Sequence, residues 1–223
     1  MEVGVAKPTV LVLASQKGGV GKTALCAHLA VAAEQAGAGP VVLYDTDPQQ
    51  SLAEWWHERA ADTPQLARGG ISELPATLER LGEAGARLVI IDTPPALTDA
   101  IRAVIRHADF VLVPTQDGIT DLKAIGRTVQ LVRDLDRPFA FALTFVKPGT
   151  SQATDAATAL SKFGPLAGVV CHRMLFKTAF NDSRTAQEIE PRGKAAAEIA
   201  QVWDHVGRAS GLISRARREK QHA

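Results

Sequence analysis

One glycine-rich loop constrains this chain more than any other feature. Residues 16–23 join an apolar run at residues 10–14 to a helix-forming segment that begins near Ala24. Three glycines in four positions let the backbone turn tightly and point successive N–H groups inward. Such a turn forms an anion-binding nest beside the positive end of the following helix. The loop is therefore predicted to hold phosphate groups.

Two side chains of the loop extend this prediction to a nucleotide with its metal ion. Lys22 is placed to reach the terminal phosphates, and the Thr23 hydroxyl to occupy one site on Mg²⁺. The first glycine of the general pattern G-x-x-x-x-G-K-[ST] would fall at Gln16, and an additional lysine stands at Lys17. A flexible surface loop is the alternative interpretation. The predicted nucleotide contacts are Lys17, Gly18, Gly19, Val20, Gly21, Lys22, Thr23 and Ala24.

Short apolar runs alternate with helix-forming segments along the chain. Strands are predicted at residues 10–14, 40–44, 66–69, 87–91, 110–114, 139–146 and 167–171. Helices are predicted at residues 23–36, 49–61, 73–82, 98–107 and 121–135. This alternation predicts an α/β fold, a mostly parallel twisted sheet with helices on both faces. We expect a single P-loop NTPase domain over residues 1–223.

Aspartates follow two of the predicted strands. Asp45 and Asp47 come after the strand at residues 40–44, and Asp92 ends the strand at residues 87–91. Ligands of such a sheet lie at the carboxyl ends of its strands, where the glycine-rich loop is also predicted. We expect Asp92 to hold Mg²⁺ through a water molecule. A strand-end aspartate that caps the turn before Pro94 is the alternative.

Several segments carry a family resemblance. Residues 17–23 resemble the deviant Walker A loop of the ParA/MinD group of P-loop ATPases, and residues 45–51 resemble the D-x-D-P-Q pattern of ParA partition ATPases. Residues 88–95 resemble their Walker B strand end, and residues 108–114 resemble the next family segment. The chain is short and lacks an N-terminal helix-turn-helix, so it resembles the small ParA type.

The resemblance implies roles for individual residues. Asp47 would orient the attacking water, and Asp45 would belong to the metal–water network. Lys17 would cross a dimer interface to the phosphates of a second subunit, where its charge acts as an arginine finger does elsewhere. Family members contact the base and ribose near Pro114 and over the stretch from Thr144 to Pro148. The residue types leave alternatives open, since Asp47 also suits a helix N-cap and Lys17 a solvated loop.

Charge limits how the chain could bind nucleic acid. The formal net charge is +1, so DNA binding would need a local basic patch. Residues 173–223 supply ten cations against six acids. A basic C-terminal helix and tail are expected over about residues 195–223. Candidate DNA contacts are Arg173, Lys177, Arg208, Arg215, Arg217 and Arg218. Solvated helix faces are the alternative interpretation.

Other features bear on where the protein works. Cys26 and Cys171 have no metal-ligand spacing and are expected to be small buried hydrophobes in a reducing cytosol. Residues 1–9 have no long apolar core, so no signal peptide is expected. After Val206, Leu212 and Ile213 are the only large apolar residues, too little for stable membrane insertion. We therefore expect a cytoplasmic, nucleoid-associated protein.

The leading functional hypothesis is a ParA-like ATPase. It would bind ATP and Mg²⁺, form an ATP-dependent sandwich dimer on non-specific DNA, and position a plasmid, a chromosome region or a protein cargo. A ParB-like or cargo-adaptor protein would stimulate the otherwise slow hydrolysis. Two alternatives remain: a metabolic or maturation enzyme on the same fold, similar to dethiobiotin synthetase, and a MinD-like membrane-positioning switch.

Overall fold

A computed structural model describes residues 7–96 and 98–213. Its centre is a seven-stranded sheet in the order β3-β2-β4-β1-β5-β6-β7, in which every neighbouring pair is parallel. The strands are β1 (Thr9–Leu13), β2 (Val41–Asp45), β3 (Gln65–Ala67), β4 (Leu88–Asp92), β5 (Phe110–Thr115), β6 (Phe139–Val146) and β7 (Leu166–Cys171). The predicted parallel α/β fold is confirmed.

Helices cover both faces of the sheet. They are α1 (Lys22–Gln35), α2 (Ser51–His57), α3 (Leu74–Glu83), α4 (Asp99–Arg106), α5 (Ile119–Asp134), α6 (Ser151–Ser161), α7 (Met174–Asn181), α8 (Ala186–Ile189) and α9 (Lys194–Ala209). Alternate residues of β1 enter different cores, because successive strand side chains point to opposite faces. Leu11 and Leu13 pack with α1, α2 and α9, whereas Val10 and Val12 pack with α3, α4 and α5.

The strand register brings the motif residues together. Leu13, at the end of β1, pairs with Asp92 at the end of β4, and Asp92 in turn pairs with Asp45 at the end of β2. The Thr93 hydroxyl donates to the Leu13 carbonyl at 2.7 Å, and the Thr46 hydroxyl donates to the Asp92 carbonyl at 2.6 Å. The glycine-rich loop and both acidic segments therefore share one edge of the sheet.

Some predicted boundaries were wrong. The helix predicted to reach residue 61 ends at His57, because the Arg59 N–H bonds back to the Trp56 carbonyl and the Arg59 side chain binds the Thr63 carbonyl. The strand predicted at residues 66–69 ends at Ala67, and Gly69 follows with a φ of 151°. Helices α6, α7 and α8 were not predicted. Of the C-terminal helix and tail expected over about residues 195–223, the described part contains α9, and residues 214–223 lie outside the described residues.

Candidate nucleotide-binding site

The glycine-rich loop has the backbone that a phosphate cradle needs. Gly19 and Gly21 adopt left-handed conformations, with φ values of 74° and 83°. A Cβ atom on Gly21 would lie 2.8 Å from the Phe145 ring. Gly21 is also the N-cap of α1, and no side chain of the described residues caps that end of the helix. The first N–H groups of α1 are thus free of side-chain competition for an anion.

Lys22 lies in the interior beside the acidic strand ends. Lys22 is 6% exposed, and its Nζ atom lies 3.4 Å from the Lys17 carbonyl oxygen. Burial lowers the pKa of Lys22, and the nearby Asp92 and Asp47 carboxylates oppose that shift. A phosphate group would stabilise the ammonium in the same way as these carboxylates. The position therefore suits a lysine that binds phosphate.

Asp92 provides the test of whether Mg²⁺ suits this site. Its Oδ2 atom accepts a 2.6 Å hydrogen bond from the Thr23 hydroxyl, whereas Oδ1 is buried and has no hydrogen-bond partner within residues 7–96 and 98–213. Burial raises the pKa of Asp92 to about 7, and the Asp45 carboxylate adds to that shift. A cation would satisfy the orphaned oxygen and favour the ionised form.

The remaining ligands of such a cation would come from outside the protein. The described residues contain no group of three His, Cys, Asp or Glu side chains that could hold a metal ion. Mg²⁺ commonly keeps several waters and binds through one or two protein oxygens together with substrate phosphates. Thr23 and Asp92 therefore suit a Mg²⁺ ion that arrives with a nucleotide. When bound, this ion would neutralise charge on the phosphates.

Asp45 and Asp47 organise the turn into α2. Asp45 Oδ1 accepts the Asp47 N–H at 3.0 Å, and Asp45 Oδ2 accepts the N–H groups of Leu52 and Ala53 at 3.1 Å. Among the described residues, the Asp47 side chain accepts a hydrogen bond from the Gln49 N–H alone, at 3.0 Å. Asp45 therefore fixes the turn, and Asp47 keeps one carboxylate oxygen available for a water molecule.

Lys17 makes a contact that its sequence did not predict. Its Nζ atom lies 2.5 Å from Asp121 Oδ1, at the start of α5. The Lys17 side chain is 39% exposed and that of Asp121 is 5% exposed. Gln116, in the same connection after β5, donates from Nε2 to the Gly19 carbonyl at 3.2 Å. In a single chain, the first turn of α5 thus holds the loop lysine, and the connection before it holds Gly19.

A cavity of about 590 Å³ opens beside the loop. Residues from α1, the β5–α5 connection, the ends of β6 and β7, and α7 line it, including Ala24, Gln116, Phe145, His172, Phe176 and Lys177. The volume suits a nucleoside next to the phosphate loop. Phe145 belongs to the stretch 144–148 that the family resemblance implied near the base and ribose. His172 and Phe176 were not predicted as site residues. No sequence signal identified them, because α7 reaches the cavity only through tertiary packing.

Pro114 and Thr144, which were predicted to lie near the base or ribose, are internal. Pro114 is buried within β5. Thr144 is 1% exposed, and its hydroxyl lies 2.9 Å from the Val20 carbonyl and 3.0 Å from the Thr115 carbonyl. Thr144 therefore braces the phosphate loop from β6. Nucleotide contact by either residue stays a prediction.

The candidate DNA contacts differ in their surroundings. Arg173 binds both carboxylate oxygens of Glu198, and Arg208 donates to Asp204 at 2.9 Å. Lys177 is exposed and has no ion-pair partner within the described ranges. The other three candidates, Arg215, Arg217 and Arg218, lie outside the described residues.

The parallel sheet and the loop after β1 define a P-loop NTPase. The family model "CobQ/CobB/MinD/ParA nucleotide binding domain" matches residues 11–185. The chain therefore belongs to the CobQ/CobB/MinD/ParA family of nucleotide-binding proteins, which confirms the predicted resemblance to the ParA/MinD group.

Relatives in sequence agree with this assignment. The chain is 42% identical over 125 residues to maintenance of carboxysome distribution protein A from Gloeobacter kilaueensis. The matched segment covers 55% of this chain and 56% of that protein. It is 26% identical over 211 residues to the protein of the same name from Halothiobacillus neapolitanus, covering 90% and 97%. Protein ParA from Rhizobium radiobacter is 30% identical over 144 residues, covering 61% and 63%. The chain thus spans little more than half of the first relative.

Solved structures share the fold. The ATP complex of a variant of Cyanothece McdA superposes with a TM-score of 0.76 and 19% identity, covering 92% of this chain and 97% of that chain. MinD of Pyrococcus horikoshii with Mg-ADP gives a TM-score of 0.75 and 16% identity, covering 92% and 98%. Both structures contain nucleotide on this fold.

Proposed function

We propose that this protein is a positioning ATPase of the ParA type. It would bind ATP with Mg²⁺, dimerise in that state, bind DNA without sequence preference, and return to a released form after hydrolysis stimulated by a partner protein. The dimer, the DNA and the partner are parts of the proposal. The family and the geometry of the loop both support nucleotide binding.

The observation that carries the proposal is the position of Lys17. This lysine belongs to the phosphate loop itself, yet 39% of its side chain is exposed, whereas Lys22 of the same loop is buried. One loop therefore offers an inner cation for its own nucleotide and an outer cation for a neighbouring molecule. Two copies that face each other across the nucleotides would each complete the other's site.

The names of the relatives support a role in positioning a cargo. Two of them are named for the distribution of carboxysomes and one is named ParA. Cargo positioning needs a long-lived ATP state that a partner ends, so slow intrinsic turnover is part of the proposal. DNA would serve as the surface, and the protein would accordingly be associated with the nucleoid. No helix within residues 7–96 or 98–213 is long and apolar enough to cross a membrane.

Particle size measured with ATP and Mg²⁺ tests the proposal. The wild-type protein should change from monomer to dimer with ATP and not with ADP. Lys22→Ala should weaken nucleotide binding itself, because the phosphates lose their inner cation. Lys17→Ala should bind ATP but fail to dimerise or to hydrolyse it.

Two results would contradict the proposal. Normal dimerisation and hydrolysis by Lys17→Ala would remove the role of Lys17 in a partner's site. Wild-type turnover of ~10 s⁻¹ without any partner, typical of metabolic enzymes, would exclude a slow switch.

A further inference from the structure

The helix after the Asp45–Asp47 turn depends on contacts outside itself. Helix α2 has seven residues and buries only Leu52 and Trp55. A helix of this length is not stable in water by its own hydrogen bonds. Its first turn is fixed by Asp45, which accepts the N–H groups of Leu52 and Ala53. The other end needs an anchor of its own.

Arg59, two residues beyond α2, supplies that anchor. Its side chain is 3% exposed. Nη1 lies 3.0 Å from Oε2 of Glu188, and Nη2 lies 2.5 Å from Oε1. The same guanidinium donates to the carbonyls of Ser183 and Thr63, and its Cζ lies 5.0 Å from the Trp55 ring centroid. A buried arginine with this many partners tolerates little displacement, because each lost partner leaves a charge or donor unsatisfied.

Glu188 connects this anchor to the phosphate-loop helix. It lies in α8, where it forms a capping box with Thr185. The neighbouring Ala186 N–H donates to Nε2 of His28 at 3.1 Å, and Gln187 donates to the His28 carbonyl at 2.6 Å. His28 belongs to α1. Helix α8 is thus bonded on one side to α1 and on the other to Arg59.

Helix α7 makes the same bridge with aromatic rings. Phe180 stacks on Trp55 of α2, with ring centroids 5.9 Å apart, and Phe176 packs edge-on against His28 of α1 at 5.1 Å. Both phenylalanines line the cavity beside the phosphate loop. The segment from α7 to α8 therefore contacts the helix that follows the phosphate loop and the helix that follows Asp47.

We infer that Arg59 is a positioning residue for ATP hydrolysis. By holding α2 on α7 and α8, it sets where the Asp45–Asp47 turn stands relative to the phosphate loop. The inference rests on the proposed hydrolysis by this site, with Asp47 orienting the water. Water attack depends on sub-ångström placement, so a small shift of α2 should slow turnover while leaving the phosphate loop intact.

Arg59→Lys is the direct test, because it keeps the charge and removes the planar fork that binds Glu188. We expect kcat to fall about ten-fold or more, with the Kd for ATP within about two-fold of the wild-type value. Arg68→Lys is the matched control. Arg68 also contacts α2, with Nη2 3.0 Å from His57 Nε2, but it does so from the exposed side. We expect the kcat of Arg68→Lys to stay within about two-fold of the wild-type value. Equal kcat values for the wild type and Arg59→Lys would overturn the inference.

A double-mutant cycle separates positioning from general destabilisation. If Arg59 acts through Asp47, Arg59→Lys should slow the wild type but should not slow Asp47→Ala any further. Additive losses would mean that Arg59 acts elsewhere. Should Arg59→Lys fail to fold, Glu188→Gln keeps the shape of the partner and carries the same expectations.

Hydrogen exchange gives a readout without turnover. In Arg59→Lys the amides of Leu52 and Ala53 should exchange about ten-fold faster, while amides of α1 stay unchanged. Uniformly faster exchange would indicate a merely structural role and overturn the inference. If instead the wild type hydrolyses no ATP, or Lys22→Ala hydrolyses it equally well, the proposed function fails, and the exchange experiment still shows whether Arg59 fixes α2.

Discussion

At the scale of single residues, a neutral histidine joins the phosphate-loop helix to the C-terminal part of the fold. His28 is fully buried, its Nδ1 lies 2.7 Å from the Ala24 carbonyl, and its Nε2 accepts the N–H of Ala186. This pair of contacts requires the tautomer with the proton on Nδ1. Protonation of Nε2 would place two N–H groups against each other. Burial lowers the pKa of His28 to about 4, although the bond to Ala24 opposes the shift.

The free energy of unfolding should therefore depend on pH through His28. Between pH 6.5 and about 4 the unfolded chain binds a proton that the folded protein excludes, so stability falls as the pH is lowered through that window. Each pKa unit corresponds to ~1.4 kcal/mol, which gives a loss of about 3 kcal/mol. Urea unfolding from pH 7.5 to 4 measures it. His28→Gln should flatten the curve by that amount, and an unchanged pH dependence in this variant would contradict the assignment.

At the scale of elements, the start of α5 is placed to control Lys17. Asp121 lies in the first turn of α5, where the helix dipole favours a carboxylate, and it holds Lys17 within the same chain. In the proposed dimer Lys17 has to leave this contact for the phosphates of the other subunit. The ion pair therefore opposes dimerisation, and its half-exposed lysine limits how strongly it does so.

Asp121→Asn should lower the protein concentration at which ATP produces dimers. The amide cannot form the ion pair, so Lys17 becomes available at less cost, and we expect a shift of a few-fold. Light scattering across a dilution series with ATP measures the midpoint. Asp117→Asn is the control, because Asp117 lies four residues earlier, in the connection before α5, and has no ion-pair partner among the described residues. Weaker dimerisation by Asp121→Asn would show that Asp121 supports the dimer.

At the scale of the whole molecule, charge pairing decides which cations can meet DNA. The net charge of the chain is +1, so long-range attraction is weak. In the C-terminal part that the structure describes, Arg173 and Arg208 have carboxylate partners. Lys177, Arg192 and Lys194 are exposed and have no ion-pair partner there. A two-fold dimer would double these three cations, and phosphate contacts act together through counterion release.

We therefore predict DNA binding that needs ATP, ignores sequence and depends steeply on salt. With three cations from each subunit on phosphates, the slope of log K against log salt should be roughly −5. Replacing Lys177, Arg192 and Lys194 by Gln should flatten the slope and weaken binding to two unrelated DNA duplexes to the same extent. Arg173→Gln should change the slope little, because the Arg173 guanidinium is already paired with Glu198. The measurement is a salt titration with ATP and with ADP.

Two outcomes would contradict this prediction. Equal binding in both nucleotide states would separate DNA from the ATP cycle. An unchanged slope after the triple replacement would assign the contact to other cations, such as the Arg215, Arg217 and Arg218 group predicted from the sequence.

The sequence by itself determined the sheet, the phosphate loop and the family. These features are local: apolar runs fix buried strands, and the backbone freedom of glycine fixes the loop. Because the strands are parallel, the carboxyl ends that carry Asp45 and Asp92 had to meet the loop. The weakly patterned α6 escaped prediction, since its alanine- and threonine-rich sequence shows little apolar periodicity.

Only the tertiary structure decided which distant side chains meet. The pairs Lys17–Asp121 and Arg59–Glu188 join residues about a hundred or more positions apart, and nothing in their local sequence marks either partner. The same holds for Phe145, which packs on Gly21 only because β6 lies two strands from β1 in the sheet. The local sequence pattern specifies helices and strands. Ion-pair and aromatic contacts between distant residues depend on how those elements pack, and packing is a property of the whole chain.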